Sequence, residues 1–135
     1  MLYLLDTNVC VMYINGRSES VRDRILSTPT DEMAVCSIVK AELFYGAMRS
    51  NNSTRTLERQ QGFLNRFTSF PFDDEAGLIF GQIRAQLGRR GTPIGAYDLQ
   101  IAAIALAHNL TLITHNTAEF SRVNDLQIED WEVEA

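Results

Sequence analysis

The sequence predicts an α/β fold: a three-layer α/β/α sandwich around a central, mainly parallel sheet. Three observations carry that expectation. Short apolar runs of strand length (residues 2–5, 33–38 and 110–114) alternate with segments of helical periodicity, the pattern of a parallel sheet with helices on both faces. The first of these runs delivers a carboxylate, Asp6, and polar residues follow it directly. Residues 99–107 are apolar nearly all round, with only Gln100 polar, as in a helix buried on most faces.

Taken in order, the stretch at residues 2–8 (LYLLDTN) opens with an apolar run that forms a buried strand, whose C-terminal end projects Asp6 towards a crevice. In open α/β sheets ligands bind at that end of the strands. Residues 8–15 read as a short helix stopped at Gly16, and residues 18–27 as an amphipathic helix through Val21, Ile25 and Leu26. The stretch TPTD at 28–31 is a turn by composition. Residues 33–38 are a second buried strand with Ser37 marking its end, and residues 39–49 a helix with Glu42 one turn in. A polar break at 51–54 leads to an amphipathic helix over 55–67.

Residues 70–72 (FPF) suit a short strand, and the proline places it at an edge of the sheet. Asp73 caps the next helix, whose apolar stripe is Ala76, Ile79, Phe80, Ile83 and Leu87. Gly88 to Gly91 ends it, and a tight loop (TPIG) leads to Asp98 at the opening of the buried helix. Residues 110–114 form the third core strand, and residues 126–131 suit one more. There is no internal repeat, low-complexity tract or linker, so one domain over residues 1–135 is expected.

Composition narrows the function classes. With 45% hydrophobic and 21% charged residues the chain falls in the globular range. No apolar run approaches the ~20 residues of a membrane span, and no basic segment leads into a signal-peptide core, so a cytoplasmic protein is expected. Cys10 and Cys36 read as buried free thiols; with His108 and His115 they lack the spacing of a zinc site. The histidines have no serine or cysteine in a nucleophile-elbow context, and GxGxxG and P-loop motifs are absent.

Four acids share a setting: Asp6 after the first strand, Glu42 in the helix after the second, Asp98 opening the buried helix, and Glu119 after the last core strand. A parallel sheet gathers such positions on one edge. Each also has a plainer use. Asp6 and Asp98 can cap helices, Glu42 can complement a helix dipole, and Glu119 can be a solvated loop residue that leaves Asn116 as the oxygen ligand. If they converge, two carboxylates about 5 Å apart repel by roughly 3 kcal/mol at an effective dielectric near 20. A cluster therefore requires a compensating cation, and hard divalent ions take oxygen ligands. Such a site suits phosphodiester cleavage, in which the cation activates water and stabilises the charge of the transition state.

These residues resemble the PIN-domain ribonucleases, in particular VapC-type toxins of bacterial toxin–antitoxin pairs. The likeness rests on LLDTN around Asp6, AELFYGA around Glu42, RRGTPIGAYD ending at Asp98, THNTAEFSRV around Glu119 and the closing LQIEDW, in family order up to Trp131. The resemblance implies an endoribonuclease dependent on Mg²⁺ or Mn²⁺. It places Asp6 and Asp98 on the metal, and Glu42 on metal through water or on the nucleophile. The fourth position is Glu119, in an Asn-Xaa-Xaa-Glu form where many relatives carry an aspartate at the place of Asn116. It further implies a homodimer, an RNA substrate, with transfer RNA the first candidate, and a VapB-type antitoxin that alone would contact DNA.

The net charge of −5 fits an RNA substrate once its distribution is considered. Five acids and no bases follow Asn124, and the preceding part balances 12 acids against 12 bases, 11 of them arginine. With the four clustered acids set aside, 8 acids face 12 bases, and Arg84, Arg89 and Arg90 are candidates for phosphate contacts. Two rival readings stand beside the nuclease. One is a phosphotransfer or phosphatase domain with Asp6 as nucleophile, which lacks the usual second aspartate because Asn8 stands there. The other is a non-catalytic RNA- or protein-binding module, which would gain nothing from clustered negative charge.

Overall fold

The computed structural model describes residues 1–133; Glu134, one of the five C-terminal acids, lies outside the described residues. Five strands form one sheet in the order β3-β2-β1-β4-β5: β1 Tyr3–Leu5, β2 Met33–Cys36, β3 Thr68–Phe70, β4 Thr111–Ile113 and β5 Ile128–Glu129. Every pairing is parallel. Helices α1 (Thr7–Ile14), α2 (Glu19–Ser27), α3 (Ser37–Met48), α4 (Ser53–Leu64), α5 (Asp74–Arg89), α6 (Ala96–Ala107) and α7 (Thr117–Phe120) flank the sheet. The α/β/α architecture expected from the alternation is the one observed.

Burial follows the apolar runs. Leu4, Leu5, Ala34, Val35, Leu112 and Ile113, on the three central strands, are wholly inaccessible, and so are the five consecutive residues Ile101 to Ala105 of α6. The latter explains the absence of a polar face on α6, which packs against α5 as well as the interior. No described helix is long and apolar enough to cross a membrane.

Local chemistry sets the element ends. Ser18, Asn52 and Asp73 cap α2, α4 and α5, accepting from the backbone N–H of Val21, Arg55 and Ala76. The chain leaves α1 through Gly16 at φ +64°, a left-handed conformation that glycine adopts without steric cost. The strand at 68–70 lies at a sheet edge and stops before Pro71, which has no N–H for a ladder. One boundary differs in a way that matters: β2 ends at Cys36 and Ser37 already belongs to α3. Glu42 is therefore the sixth residue of that helix, past the first turn where an acid would complement the dipole.

The acidic C-terminal segment is partly neutralised. Glu129 pairs with Arg24 at 3.2 Å, and Asp130 and Glu132 face His115 at 2.9 and 3.7 Å. Trp131 anchors it: the ring is buried, meets Tyr3 edge-on at 5.2 Å and lies under the Arg24 guanidinium at 5.1 Å.

Candidate active site

The chain runs from β1 to β2 and β3 on one side, then to β4 and β5 on the other. The connections thus reverse between β1 and β4, and the crevice at such a reversal is where open α/β sheets bind ligands. Asp6 stands there. It is 5% exposed, its backbone N–H donates to the Ile113 carbonyl at 3.0 Å, and its extended backbone starts α1. Its Oδ1 accepts from the Thr7 N–H at 2.8 Å, so Asp6 does cap a helix. Its Oδ2 accepts from the hydroxyl of Thr114, also at 2.8 Å, at the end of β4.

Thr114 begins a short network. Its Oγ1 accepts from the Asn116 N–H at 3.0 Å, and the Asn116 side chain donates to Glu119 Oε2 at 3.1 Å. On the other side, the Thr7 hydroxyl donates to Glu42 Oε1 at 2.8 Å. Two threonines and an asparagine thereby orient three of the acids that are distant in sequence. Glu119 is half-buried on α7, which removes the reading of a solvated loop residue.

Asp98 completes the group from α6. It is the third residue of that helix, Gly95 occupies the cap position, and the Asp98 side chain makes no cap hydrogen bond. The capping explanation therefore does not hold. Its carboxyl is pushed up to about 6, chiefly by burial, then by the negative charges of Asp6, Glu119 and Glu42 and by a hydrogen bond shared with Glu119. Asp6 is also raised, by burial above all; the bonds from Thr114 and Thr7 oppose this, and Glu42 adds to it. Asp98 thus feels the charge of the other three acids, and Asp6 that of Glu42.

Among the described residues, the ion pairs are those of Arg24 and His115 with the C-terminal acids, and none reaches the four clustered carboxylates. The donor set is all oxygen, suited to a hard divalent cation. No three of the four acids bring ligand oxygens within 4.8 Å of one another; among the described residues only His115, Asp130 and Glu132 do so. In the latter trio the histidine serves as the acids' partner. Asp130 favours the protonated ring, and its pKa is raised accordingly. The wider spacing of the four acids leaves room for a divalent cation that meets one or two carboxylates and keeps several waters.

Cys10 and Cys36 are buried beside this site without belonging to it. Burial first, and then the charge of Asp6, raises the Cys10 thiol; burial lifts Cys36 to about 11. Both remain protonated at neutral pH, the wrong form for a metal ligand. Of the arginines named from sequence, Arg90 donates to the Arg122 carbonyl at 2.7 Å and Arg84 lies 5.8 Å from the Phe80 ring centre. Sequence reasoning missed Thr7 and Thr114. The signal was their adjacency to strand ends, though threonine is too common there to stand out.

Residues 3–126 match the PIN domain. The "tRNA(fMet)-specific endonuclease VapC" of Salmonella typhimurium is 40% identical over 129 residues, which cover 96% of this chain and 97% of that protein. "Ribonuclease VapC2" of Rickettsia felis is 37% identical over 133 residues, with 98% and 99% covered. In the crystal structure of DNA-bound VapBC from Salmonella typhimurium, a chain 41% identical to this one superposes with a TM-score of 0.91, covering 97% of this chain and 99% of that one.

Proposed function

Because the chain belongs to the PIN-domain family, alongside the VapC ribonucleases, we propose that it is the toxin of a toxin–antitoxin pair: a metal-dependent endoribonuclease that cuts RNA at the four-acid site. The observation that carries this reading is the meeting of Asp98 with Asp6, Glu119 and Glu42 at the sheet reversal, where burial first and then those charges raise its carboxyl, with no basic side chain paired to any of the four among the described residues. Asp6 and Asp98 would hold Mg²⁺ or Mn²⁺. When bound, the cation supplies an activated water and offsets charge building on the phosphate. Glu42, its carboxylate set by the Thr7 hydroxyl, would orient the attacking water or help to hold the cation. Glu119 takes the fourth place, and Asn116 orients it in preference to replacing it. Asp98 would hold the cation as a carboxylate, the form that its burial and the neighbouring acids disfavour while no cation is bound.

The relative from Salmonella typhimurium is named for transfer RNA, and structured RNA of that class is the proposed substrate here. The VapBC complexes imply a protein antitoxin for this chain, with DNA reached through that antitoxin; a homodimer and a cytoplasmic setting complete the proposal. The phosphatase alternative has a specific obstacle. Asn8 stands where such a site has its second aspartate, and a carboxamide cannot serve there as the acid. The test is cleavage of total cellular RNA by antitoxin-free protein with Mg²⁺, followed by mapping of the new 5′ ends. Asp6→Asn and Asp98→Asn should cleave at least a hundredfold more slowly; equal rates would refute the site.

A further inference from the structure

We propose that Tyr45 and Tyr97 form a nucleobase-binding subsite beside the acids, so that the enzyme takes RNA with an unstacked base next to the bond it cuts. The proposal rests on the nuclease reading and adds a part of the substrate to it. Ile38, Ala41, Glu42 and Tyr45 of α3 and Tyr97 of α6 wall a cavity of about 410 Å³, room for one nucleotide. One wall is the acid Glu42, and Tyr97 directly precedes the acid Asp98. The two tyrosines are 64% and 63% exposed, and no aromatic stacking partner meets either ring among the described residues.

Large rings left in water cost free energy unless something covers them, and three features favour a base. Glu42 lines the cavity and Tyr97 adjoins Asp98 in the chain, so a base held there keeps its neighbouring phosphate near these acids. Tyrosine offers a flat face that stacks on any base. The Arg49 guanidinium lies 5.3 Å from the Tyr45 ring centre, one helical turn beyond it, where it can meet a backbone phosphate. An acidic pocket otherwise repels RNA; stacking is the uncharged attraction that offsets this. A base inside a continuous duplex is unavailable to such a pocket, so loops and single strands are favoured.

The probe is a pool of RNA hexamers with 2-aminopurine at a central position, quenched on stacking and followed by rapid mixing before turnover. The parent protein with Mg²⁺ should quench the probe. Tyr45→Ala and Tyr97→Ala should each weaken binding roughly 5- to 150-fold, as base–aromatic stacks do on truncation, whereas Tyr45→Phe and Tyr97→Phe stay within about threefold. In a second arm the protein is unchanged, and RNA cut by the parent is remade with an abasic residue on either side of the mapped bond. One of the two positions should raise KM tenfold or more with kcat little altered.

Unchanged quenching in both alanine variants overturns the subsite, as does an altered oligomeric state or antitoxin binding with RNA binding intact. The latter result would assign the rings to a protein interface. A parent that quenches the probe but never cuts RNA would refute the nuclease and leave the subsite standing. A parent that cuts RNA with KM indifferent to both tyrosines and to abasic positions would do the reverse.

Discussion

The Thr114 hydroxyl lies 2.8 Å from Asp6 Oδ2 and joins the ends of β4 and β1 across 108 residues of chain. The bond is buried; it holds Asp6 at the reversal of the sheet connections and favours the charged form that burial disfavours. Thr114 also receives the Asn116 N–H, so one side chain sets both Asp6 and the segment that carries Glu119.

Thr114→Val keeps the shape and removes the hydroxyl. A buried carboxylate that loses a donor is destabilised by about 1–3 kcal/mol in its charged form, so Asp6 should hold its proton more tightly. Mn²⁺ affinity by calorimetry should fall about 10- to 100-fold, the usual cost of losing a ligand's supporting partner, while Thr114→Ser retains most of it. Valine and threonine proteins of equal affinity would show the bond to be incidental.

Glu119 and Asn116 can be separated by charge. Glu119→Gln preserves size and removes a charge from the site, whereas Asn116→Ala removes only the donor to Glu119. The glutamine variant should therefore lose more Mn²⁺ affinity, about tenfold more, and more RNA cleavage. The opposite ranking would make Asn116 the fourth ligand.

In EDTA the Asp98 carboxyl, at about 6 against an ordinary 3.8, binds a proton more tightly in the folded protein than in the unfolded chain. Its contribution to stability is present at low pH and is lost as pH rises from about 4 through 6. Asp98→Asn removes that loss and relieves the repulsion. Its Tm should exceed the parent's by roughly 3 °C at pH 7, the scale of about 1 kcal/mol for this half-exposed and screened group. At pH 4.5 the gap should narrow, and a thermal melt that shows the same gap at both values contradicts the assignment. Mn²⁺ must displace the proton, so parent affinity should decline as pH drops below 6.

Trp131 tests the closing of the fold. Its indole N–H donates to Glu129 Oε1 at 3.2 Å, and its carbonyl accepts from the Ser20 hydroxyl at 2.7 Å, so it ties the C-terminal segment to α2. Trp131→Ala should cost about 3–5 kcal/mol in urea unfolding, and Trp131→Phe clearly less. A loss under 1 kcal/mol would mean that the segment docks without it.

The strand runs, the buried helix and the alternation of elements were legible because side-chain burial imposes a period or a continuous apolar stretch. LLD followed by a helix announces a strand-end acid without any coordinates. Boundaries were less legible: residues 33–38 look uniformly strand-like, yet the chain enters α3 at Ser37, since Ser37 and Ile38 suit either state. Whether an acid is a cap or a member of a cluster was not legible at all. Asp6 proved to be both, Asp98 proved not to be a cap, and the same one-letter codes serve either role.

By itself, then, the sequence determined the α/β architecture, the order of the four acids and the family. Local hydrophobic pattern encodes the architecture, the residue order places the acids, and the family is read from the resemblance of the motifs around them. The tertiary structure decided what surrounds each acid: Thr114 on Asp6, Thr7 on Glu42, Asn116 on Glu119, and open exposure of Tyr45 and Tyr97 beside them. These contacts depend on which strands become neighbours, here β1 and β4, and on the direction in which each strand delivers its last side chain. Neither is written in any local stretch of the chain. The elevation of Asp98 likewise exists only after folding, because folding buries it and brings to it three acids that are 92, 56 and 21 residues away along the chain and meet it only at one edge of the sheet.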